Sequence, residues 1–203
     1  MVYRPGTDGC LSLFAQAYAT GILVFPRAAR VLEIGCAEAD WMTPMLAERP
    51  DLQITGIDWR DCASPTSATV IKGDVLAQRF SPETFDAIVG ISSIEHIGLG
   101  HYDNDPIDPD GDCHAMVLAQ RWLRPGGWIY ADVPYETDGF RVEGTSHRVY
   151  GHCALSERLT PSGLDLQRVW FGTDSGRLHD APPTDRSHLM LYAACLWRKM
   201  ADG

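Results

Sequence analysis

Asp58 and Asp74 each end a short apolar run in the sequence, and Glu95 and His96 follow a longer one. A carboxylate can accept hydrogen bonds from the hydroxyl or amine groups of a ligand, and a neutral imidazole can take the proton of a reacting hydroxyl. A strand-end aspartate can also cap a turn, and a histidine can bond its own loop. The elements between these four residues decide whether they meet in one place.

The segment that would organise such a site begins at residue 31. An apolar run over 31–34 predicts a buried strand, Gly35 ends it, and small residues lead into a helical pattern over 41–49. In open α/β sheets, ligands bind in the crevice outside the carboxyl ends of the strands. Small residues there allow backbone N–H groups to approach the ligand, and the following helix offers its N-terminus. This segment predicts an α/β fold with a ligand beside Gly35.

The rest of the chain alternates strands and helices. The predicted strands are 52–58, 70–75, 85–91 and 128–134, and the predicted helices are 112–123 and 154–159. A tight turn is expected over 124–127. The late apolar segments 166–171 and 190–197 have no long helix between them, so we expect a hairpin-like edge. Residues 1–30 are predicted to form an N-terminal helical cap, which either covers the sheet or closes over the ligand with Tyr3 and Arg4.

Composition limits the partners that we expect. The 203 residues fit one domain, and no apolar run is long enough to span a membrane. The net charge of −10 disfavours nucleic acid, because phosphate binding needs a basic surface. Six scattered cysteines without a C-x-x-C pair, and a start that lacks the pattern of a secretory signal, predict a cytoplasmic protein with reduced thiols. We expect a small-molecule partner and leave the oligomeric state open between a monomer and a homodimer.

Five short motifs occur in order between residues 31 and 134. They are V-L-E-I-G-C at 31–36, I-T-G-I-D at 54–58, K-G-D at 72–74, F-D-A-I-V-G-I-S-S-I-E-H at 85–96 and L-R-P-G-G-W at 123–128. In this order they resemble the motifs of a class I S-adenosylmethionine-dependent methyltransferase. The resemblance implies a single domain over 1–203. Its sheet would be Rossmann-like, seven-stranded and mostly parallel, with helices on both faces and a reversed last strand.

The resemblance also implies S-adenosyl-L-methionine as the cofactor. The residues implied are Glu33, Gly35, Cys36 and Ala37 for the methionine part, Asp58 for the ribose, Trp59, Asp74 and Val75 for the adenine, and Gly90 and Ser92 for the floor beneath the sulfonium. Many members carry further glycines where this chain has Ala37 and Ala39. Alanine still permits close approach of the ligand, so we expect the cofactor to bind.

Three further stretches narrow the resemblance. They are G-L-G-H-Y at 98–102, D-P-I-D-P-D-G-D at 105–112 and H-R-V-Y at 147–150. Together they are similar to a little-characterised bacterial methyltransferase-like group. The resemblance to that group does not indicate which substrate the protein acts on.

Methyl transfer to a hydroxyl requires alignment of the reactants and removal of a proton. His96 is the first candidate for the base, and Glu95 and His147 complete the predicted catalytic set. The Glu95–His96 pair also resembles the metal-binding pair of small-RNA 2′-O-methyltransferases, in which a further glutamate stands at the position of Ser92. A divalent metal on Glu95, His96 and His147 is therefore a hypothesis. A Mg²⁺ or Ca²⁺ ion in the acidic loop 105–112 is another, although a capping or substrate-binding loop is favoured there.

Substrate recognition is expected in 135–153, an insertion between the fifth predicted strand and the last helix. The candidate substrate residues are His101, Tyr102, Tyr135, Arg141, Arg148 and Tyr150. Arginine suits a carboxylate or phosphate because its planar group can donate two parallel hydrogen bonds. An equal alternative for the arginines is pairing with acidic residues of the same segment.

The sequence as a whole predicts methyl transfer to a hydroxyl of a small molecule, such as a sugar, a glycoconjugate precursor or a natural product in biosynthesis. A small-amine N-methyltransferase is a variant, because acidic residues near the crevice would attract a cation. An RNA 2′-O-methyltransferase is disfavoured because the sequence shows no basic stripe. A non-catalytic S-adenosylmethionine-binding domain is the alternative from a different functional class.

Overall fold

The fold is described from a computed structural model. The structure describes residues 9–37, 41–62, 67–102, 104–173, 177–182 and 190–201. Tyr3, Arg4 and Ala39 lie outside these ranges, so the predictions that concern them are not taken further.

Within the described residues there are four α-helices and ten strands. The helices are α1 (Gly9–Ala19), α2 (Met42–Glu48), α3 (Gly111–Trp122) and α4 (His152–Leu159). The strands are β1 (Arg30–Ile34), β2 (Gln53–Asp58), β3 (Thr69–Lys72), β4 (Phe85–Ile91), β5 (Leu123–Pro134), β6 (Phe140–Glu143), β7 (His147–Tyr150), β8 (Leu164–Thr173), β9 (Leu178–His179) and β10 (Leu191–Lys199). Two 3₁₀ turns cover Val75–Ala77 and Ile94–His96. None of the described helices combines the length and apolar character needed to cross a membrane.

Eight strands form one sheet in the order β3-β2-β1-β4-β5-β10-β8-β9. Pairing is parallel from β3 to β5, and β10 runs antiparallel to both β5 and β8. The predicted mostly parallel sheet with a reversed last strand is confirmed. The described strands number eight instead of seven because the two-residue β9 adds to the outer edge of β8.

Both faces of the sheet are buried, because successive side chains of each strand point to opposite cores. In β1, Val31 belongs to the core under α1 and α2, whereas Leu32 belongs to the core under α3 and α4. On the first face, the ring centroids of Phe14 and Trp41 are 5.0 Å apart, and on the second face Trp122 is fully buried. Helices therefore cover both faces as predicted, and the described part of the N-terminal region covers the sheet.

The tight turn predicted after Leu123 lies inside a strand. Leu123 is opposite Phe85 of β4, and the next pair joins Trp128 to Ala87, so the four intervening residues bulge out of β5. Gly126 in this bulge has a φ of +75°, a left-handed conformation that glycine adopts without steric cost. The bulge allows the chain to pass from α3 into the sheet with no separate loop.

The predicted insertion over 135–153 contains a second, two-stranded sheet. β6 and β7 pair antiparallel, with Phe140 opposite Tyr150 and Glu143 opposite His147. The backbone N–H of Glu136 donates to the carbonyl of Tyr150 at 3.1 Å, which joins the hairpin to the segment after β5. β7 packs against β5 and the turn Ile94–His96, so the hairpin lies beside the carboxyl end of the sheet.

Candidate active site

A pocket lies at the carboxyl ends of β1, β2, β3 and β4. Its lining residues are Ile34, Gly35, Ile57, Asp58, Trp59, Arg60, Gly73, Asp74, Val75, Ile91, Ser92, Ser93, His96, Ile97, Tyr102 and Asp105. This is the edge of the sheet at which the sequence predicts a site. Asp58, Asp74 and His96, which are far apart in the sequence, all line it.

Asp58 ends β2 and is held by donors from two loops. Its Oδ2 accepts from the backbone N–H of Ala37 at 2.9 Å, and its Oδ1 accepts from the backbone N–H of Arg60 at 2.8 Å. The Arg60 guanidinium adds a bond from Nε to Oδ1 at 3.1 Å and one from Nη2 to Oδ2 at 3.2 Å. The carboxylate is therefore fixed in orientation before any ligand reaches it.

Gly35 is required by the close approach of two loops. Its φ is +81°, and its N–H donates to the carbonyl of Ile57 at 2.8 Å. A Cβ at this position would lie 2.1 Å from Oγ of Ser93. Any side chain at residue 35 would therefore push the two loops apart. The absence of a side chain lets the loops after β1 and β4 meet at the floor of the pocket.

Ser92 joins β4 to the turn that carries the candidate catalytic residues. It has a φ of +44°, and its N–H donates to Oδ1 of the buried Asp132 at 2.9 Å. Its hydroxyl donates to Oε1 of Glu95 at 2.9 Å. A non-glycine residue in this conformation costs on the order of 1–3 kcal/mol, and the bonds to Asp132 and Glu95 help to hold it.

His96 is oriented by the turn of the β6–β7 hairpin. Its Nδ1 lies 2.5 Å from the carbonyl oxygen of Ser146. Because a carbonyl can only accept, Nδ1 carries the hydrogen, and the neutral ring keeps its lone pair on Nε2. Nε2 lies 3.7 Å from Oε1 of Glu95, whose side chain is fully buried. The pair therefore places a carboxyl group beside the ring nitrogen that can accept a proton.

Two more histidines flank His96. The His101 ring stacks on it with centroids 5.0 Å apart, and the His147 ring meets it edge-on at 6.3 Å. Nδ1 of His147 lies 2.9 Å from the hydroxyl of Ser146. Burial, together with the neighbouring imidazole of His96, lowers the pKa of His147. This imidazole is therefore more easily kept neutral than an exposed one.

The opposite end of the pocket is acidic. Asp74 follows β3, and its Oδ1 accepts from the N–H of Leu76 at 2.8 Å, which caps the 3₁₀ turn. Asp105 lines the same pocket, and burial raises the pKa of its carboxyl. With Asp58, three carboxyl groups and one arginine line the pocket, a balance that favours a ligand with positive charge.

A buried arginine holds the segments around His96 together. Arg148 of β7 is fully buried, and its Nε lies 3.4 Å from Oδ1 of Asp112 at the start of α3. Asp112 also accepts from the hydroxyl of Tyr150 at 2.9 Å and from Arg158 at 2.7 Å. The terminal nitrogens of Arg148 donate, at 2.7–3.2 Å, to the carbonyl oxygens of Glu95, Ile97, Asp108 and Pro109.

A family described as "Caenorhabditis protein of unknown function, DUF268" matches residues 66–177, more than half of the chain. The chain belongs to this family. The matched residues include the three stretches that suggested a bacterial methyltransferase-like group, but the match does not confirm that group. No curated protein matches the chain.

Several solved structures share the fold. One is a 1,6-didemethyltoxoflavin-N1-methyltransferase from Burkholderia thailandensis with bound 1,6-didemethyltoxoflavin and S-adenosylhomocysteine (TM-score 0.67, 15% identity, 94% of this chain and 77% of that chain). Another is an S-adenosylmethionine-dependent methyltransferase from Methanosarcina mazei (TM-score 0.65, 14% identity, 91% and 98%). The cyclase SpnF is similar to the same extent (TM-score 0.69, 17% identity, 95% and 82%). At these identities the likeness shows the Rossmann-like methyltransferase fold.

In this DUF268 chain, most of the residues predicted to hold a cofactor lie at the pocket. Those that line it are Gly35, Asp58, Trp59, Asp74, Val75 and Ser92. Ala37 contributes its N–H to Asp58. Glu33, Cys36 and Gly90 are buried beside the pocket and are not among its lining residues. Sγ of Cys36 instead lies 3.4 Å from Sγ of Cys62.

The predicted catalytic and substrate residues divide into two groups. His96 and Tyr102 line the pocket, while His101 and His147 flank His96 at its side. The other substrate candidates are engaged elsewhere: Tyr135 packs on Phe171 in the core, Arg141 pairs with Glu136 and Glu143 at the surface, and Arg148 and Tyr150 are fully buried around Asp112. The predicted substrate contact of Arg148 and Tyr150 is corrected accordingly, because their polar groups are directed to the protein's own backbone and carboxylate.

The two metal hypotheses are not supported by the geometry. Across the part of the chain that the structure describes, no three His, Cys, Asp or Glu side chains are grouped as ligands of a metal ion. His96 and His147 both direct Nδ1 to Ser146. In the acidic loop, Asp108 pairs with His114 at 2.7 Å, while the acids that follow it pair with Arg158.

Two charged residues of the pocket, Arg60 and Asp105, were not predicted from the sequence. Arg60 follows Asp58 by two positions, and Asp105 lies in the loop that was considered for a metal. The signal for Arg60 was available, because a basic residue just after a strand-end acid can fold back onto it. Asp105 depends on how the loop after β4 packs, which no short pattern in the sequence specifies.

We expect replacement of Arg148 by methionine to lower the free energy of unfolding by about 3 kcal/mol. The change leaves four carbonyl oxygens without their charged donor, and removing one partner of a buried ion pair typically costs roughly 3–5 kcal/mol. The remaining contacts of Asp112 with Tyr150 and Arg158 place the value at the low end. Urea unfolding followed by circular dichroism measures it.

The matched control is Arg141→Met, on the same hairpin but in an exposed pair with Glu136, for which we expect about 0–1 kcal/mol. Equal losses in the two variants would show that the Arg148 network does not stabilise the fold.

The lowered pKa of His147 predicts acid sensitivity. Its imidazole takes up a proton less readily in the folded state than in the unfolded chain, where the pKa is about 6.5. The free energy of unfolding should therefore fall as the pH drops below about 6.5, and keep falling until the folded-state pKa is passed. Urea midpoints at about pH 7.5 and pH 5.5 should differ less in His147→Gln than in the wild type. The exposed His152→Gln is the control, and an unchanged pH effect in His147→Gln would contradict this assignment.

Proposed function

We propose that the protein is an S-adenosylmethionine-dependent methyltransferase that acts on a hydroxyl group of a small molecule. The observation that carries the proposal is that Asp58 at the tip of β2 and His96 beyond β4 line one pocket, with the buried Glu95 beside His96. The first suits a ribose, and the second suits proton removal. S-adenosylmethionine, when bound, supplies an electrophilic methyl group on a sulfonium.

The donor set of the pocket fits that cofactor. Asp58 presents a preoriented carboxylate, as ribose binding at the second strand of such folds requires. Gly35 lets Ser93 of the loop after β4 lie directly against the end of β1, so both residues line the floor of the pocket. Trp59 offers an aromatic face near the adenine side, and Asp74 can accept from an exocyclic amine. The acidic lining suits a ligand that carries a sulfonium and an ammonium group.

On the acceptor side, His96 would take the hydroxyl proton on Nε2. Its hydrogen bond from Nδ1 to Ser146 fixes the tautomer that leaves Nε2 able to accept. The carboxylate of Glu95, 3.7 Å from Nε2, would stabilise the imidazolium that results. Glu95 is itself held by the hydroxyl of Ser92. A positioned base of this kind contributes about 10²–10⁴-fold to the rate.

A small-molecule acceptor agrees with the charge of the protein. The net charge of −10 disfavours the phosphate backbone of a nucleic acid. The loop after His96 lines the pocket with Ile97, Tyr102 and Asp105, and a pocket enclosed on this side suits a compact acceptor. Sugars, glycoconjugate precursors and hydroxylated natural products meet this description.

The cofactor assignment is tested by calorimetric titration with S-adenosylhomocysteine. Replacement of Asp58 by alanine should weaken binding by at least about tenfold, because hydrogen bonds to a charged group contribute roughly 1.5–3 kcal/mol each. Asp61→Ala removes an exposed carboxylate nearby and serves as the control, with an affinity expected close to that of the wild type. Lack of binding by the wild-type protein would refute the proposal.

The base is tested by transfer of a labelled methyl group to a panel of hydroxylated small molecules. His96→Gln should lower kcat by about 100-fold while the affinity for S-adenosylhomocysteine is unchanged. The wild-type kcat/KM should also fall at acid pH, because a protonated imidazole cannot accept the hydroxyl proton. His114→Gln, at an exposed position on α3, is the control. A His96→Gln enzyme with wild-type turnover would show that another group removes the proton.

A further inference from the structure

The carboxylate of Asp58 already has four protein donors. Two are backbone N–H groups, of Ala37 and Arg60, and two are nitrogens of the Arg60 guanidinium. An ionised carboxylate has about four lone-pair directions in which it accepts hydrogen bonds. These donors therefore use the ordinary hydrogen-bonding capacity of Asp58, and a further donor must displace one of them.

The two kinds of donor differ in how easily they can leave. The N–H groups of Ala37 and Arg60 belong to the backbone, and moving them would rebuild the loops after β1 and β2. The Arg60 side chain is 27% exposed and flexible, so it can rotate away without any change in the backbone. Its Nε and Nη2 each bond a different oxygen of Asp58, at 3.1 and 3.2 Å. Two neighbouring hydroxyls of a ribose would donate to the same two oxygens.

A ring from the other side of the pocket supports this position of Arg60. The guanidinium carbon lies 4.2 Å from the centroid of the Tyr102 ring, close enough for a cation–π interaction. Tyr102 follows β4 by eleven positions and lines the pocket together with Asp58 and Arg60. Bonded to Asp58 and stacked on Tyr102, Arg60 therefore joins the end of β2 to the loop after His96.

We propose that Arg60 competes with the vicinal diol of a ribose-containing ligand for the two oxygens of Asp58. The inference rests on the proposed function and adds a regulatory element to its binding site. Binding of the ligand breaks both guanidinium bonds and the Tyr102 contact, so Arg60 lowers the affinity for the ligand. Arg60 also changes its selectivity, because the guanidinium can keep one of its bonds to Asp58 when the ligand has a single hydroxyl.

The opposite role for Arg60 makes the opposite prediction. If its guanidinium bonded the ligand instead of competing with it, removal of the side chain would weaken binding. The sign of the change in affinity therefore distinguishes the two roles. Removal of Arg60 could also change the affinity simply by removing a positive charge. Lys72 serves as the control for that effect, because it is exposed at the end of β3 and paired with Asp61 at 2.6 Å.

The experiment is calorimetric titration of the full chain with S-adenosylhomocysteine. Arg60→Ala should bind about three- to tenfold more tightly than the wild type, because a partly exposed bidentate pair contributes roughly 1 kcal/mol. Arg60→Gln, which keeps much of the volume, should show the same direction and covers the case in which the alanine variant does not fold. Lys72→Ala removes one positive charge near the pocket and should stay within about twofold of the wild type.

A second readout uses adenosine and 2′-deoxyadenosine as competitors of S-adenosylhomocysteine. The preference for adenosine should be larger in Arg60→Ala than in the wild type, because Arg60 no longer fills the position of the missing hydroxyl. Unchanged or weaker binding of S-adenosylhomocysteine by both Arg60 variants would overturn the competition. Equal gains in Arg60→Ala and Lys72→Ala would overturn it in favour of a general charge effect. Absence of binding in every variant would instead refute the proposed function, and the competition with it.

Discussion

The His96 side of the pocket depends on one buried cation, Arg148. Four carbonyl oxygens, from the turn around His96 and from the loop before α3, point to one place in the interior, and a carboxylate joins them. Buried acceptors in this number are unfavourable unless donors satisfy them. Arg148 supplies those donors from β7. The turn that carries Glu95 and His96 is therefore held at the pocket by the hairpin that follows β5.

The two halves of the pocket have different physical origins, and they were not equally predictable. The half around Asp58 and Asp74 follows from strands that end in an acid, because parallel strands bring their carboxyl ends to one edge. The sequence contains each of those strands as an apolar run with its terminal acid, so this half could be predicted. The mostly parallel sheet with its reversed last strand was predicted through the resemblance of five motifs, which periodicity alone would not provide.

The half around His96 could be predicted only in part. His96 was found because it follows an apolar strand. Arg148 and Tyr150 were assigned to substrate because their residue types suit it, yet their partner is Asp112, 36 and 38 positions away in the sequence. A sequence shows that a charged residue needs a partner but not whether a ligand or another segment provides it. The same limit applies to the acidic loop, whose carboxylates meet His114 and Arg158 instead of a metal.

The shared fold does not specify the reaction, which depends on residues outside the sheet. Methyltransferases and a cyclase have the same architecture at similar TM-scores, so the strands alone do not specify methyl transfer. The family match spans residues 66–177, which contain His96, Asp112 and Arg148 but not Gly35 or Asp58. The matched span therefore covers the turn, loop and hairpin around His96, and it also includes Asp74. The end of β2 with Asp58 lies outside the matched span, yet it meets the turn, loop and hairpin joined by Arg148 at one pocket, because the parallel strands bring their carboxyl ends to the same edge of the sheet.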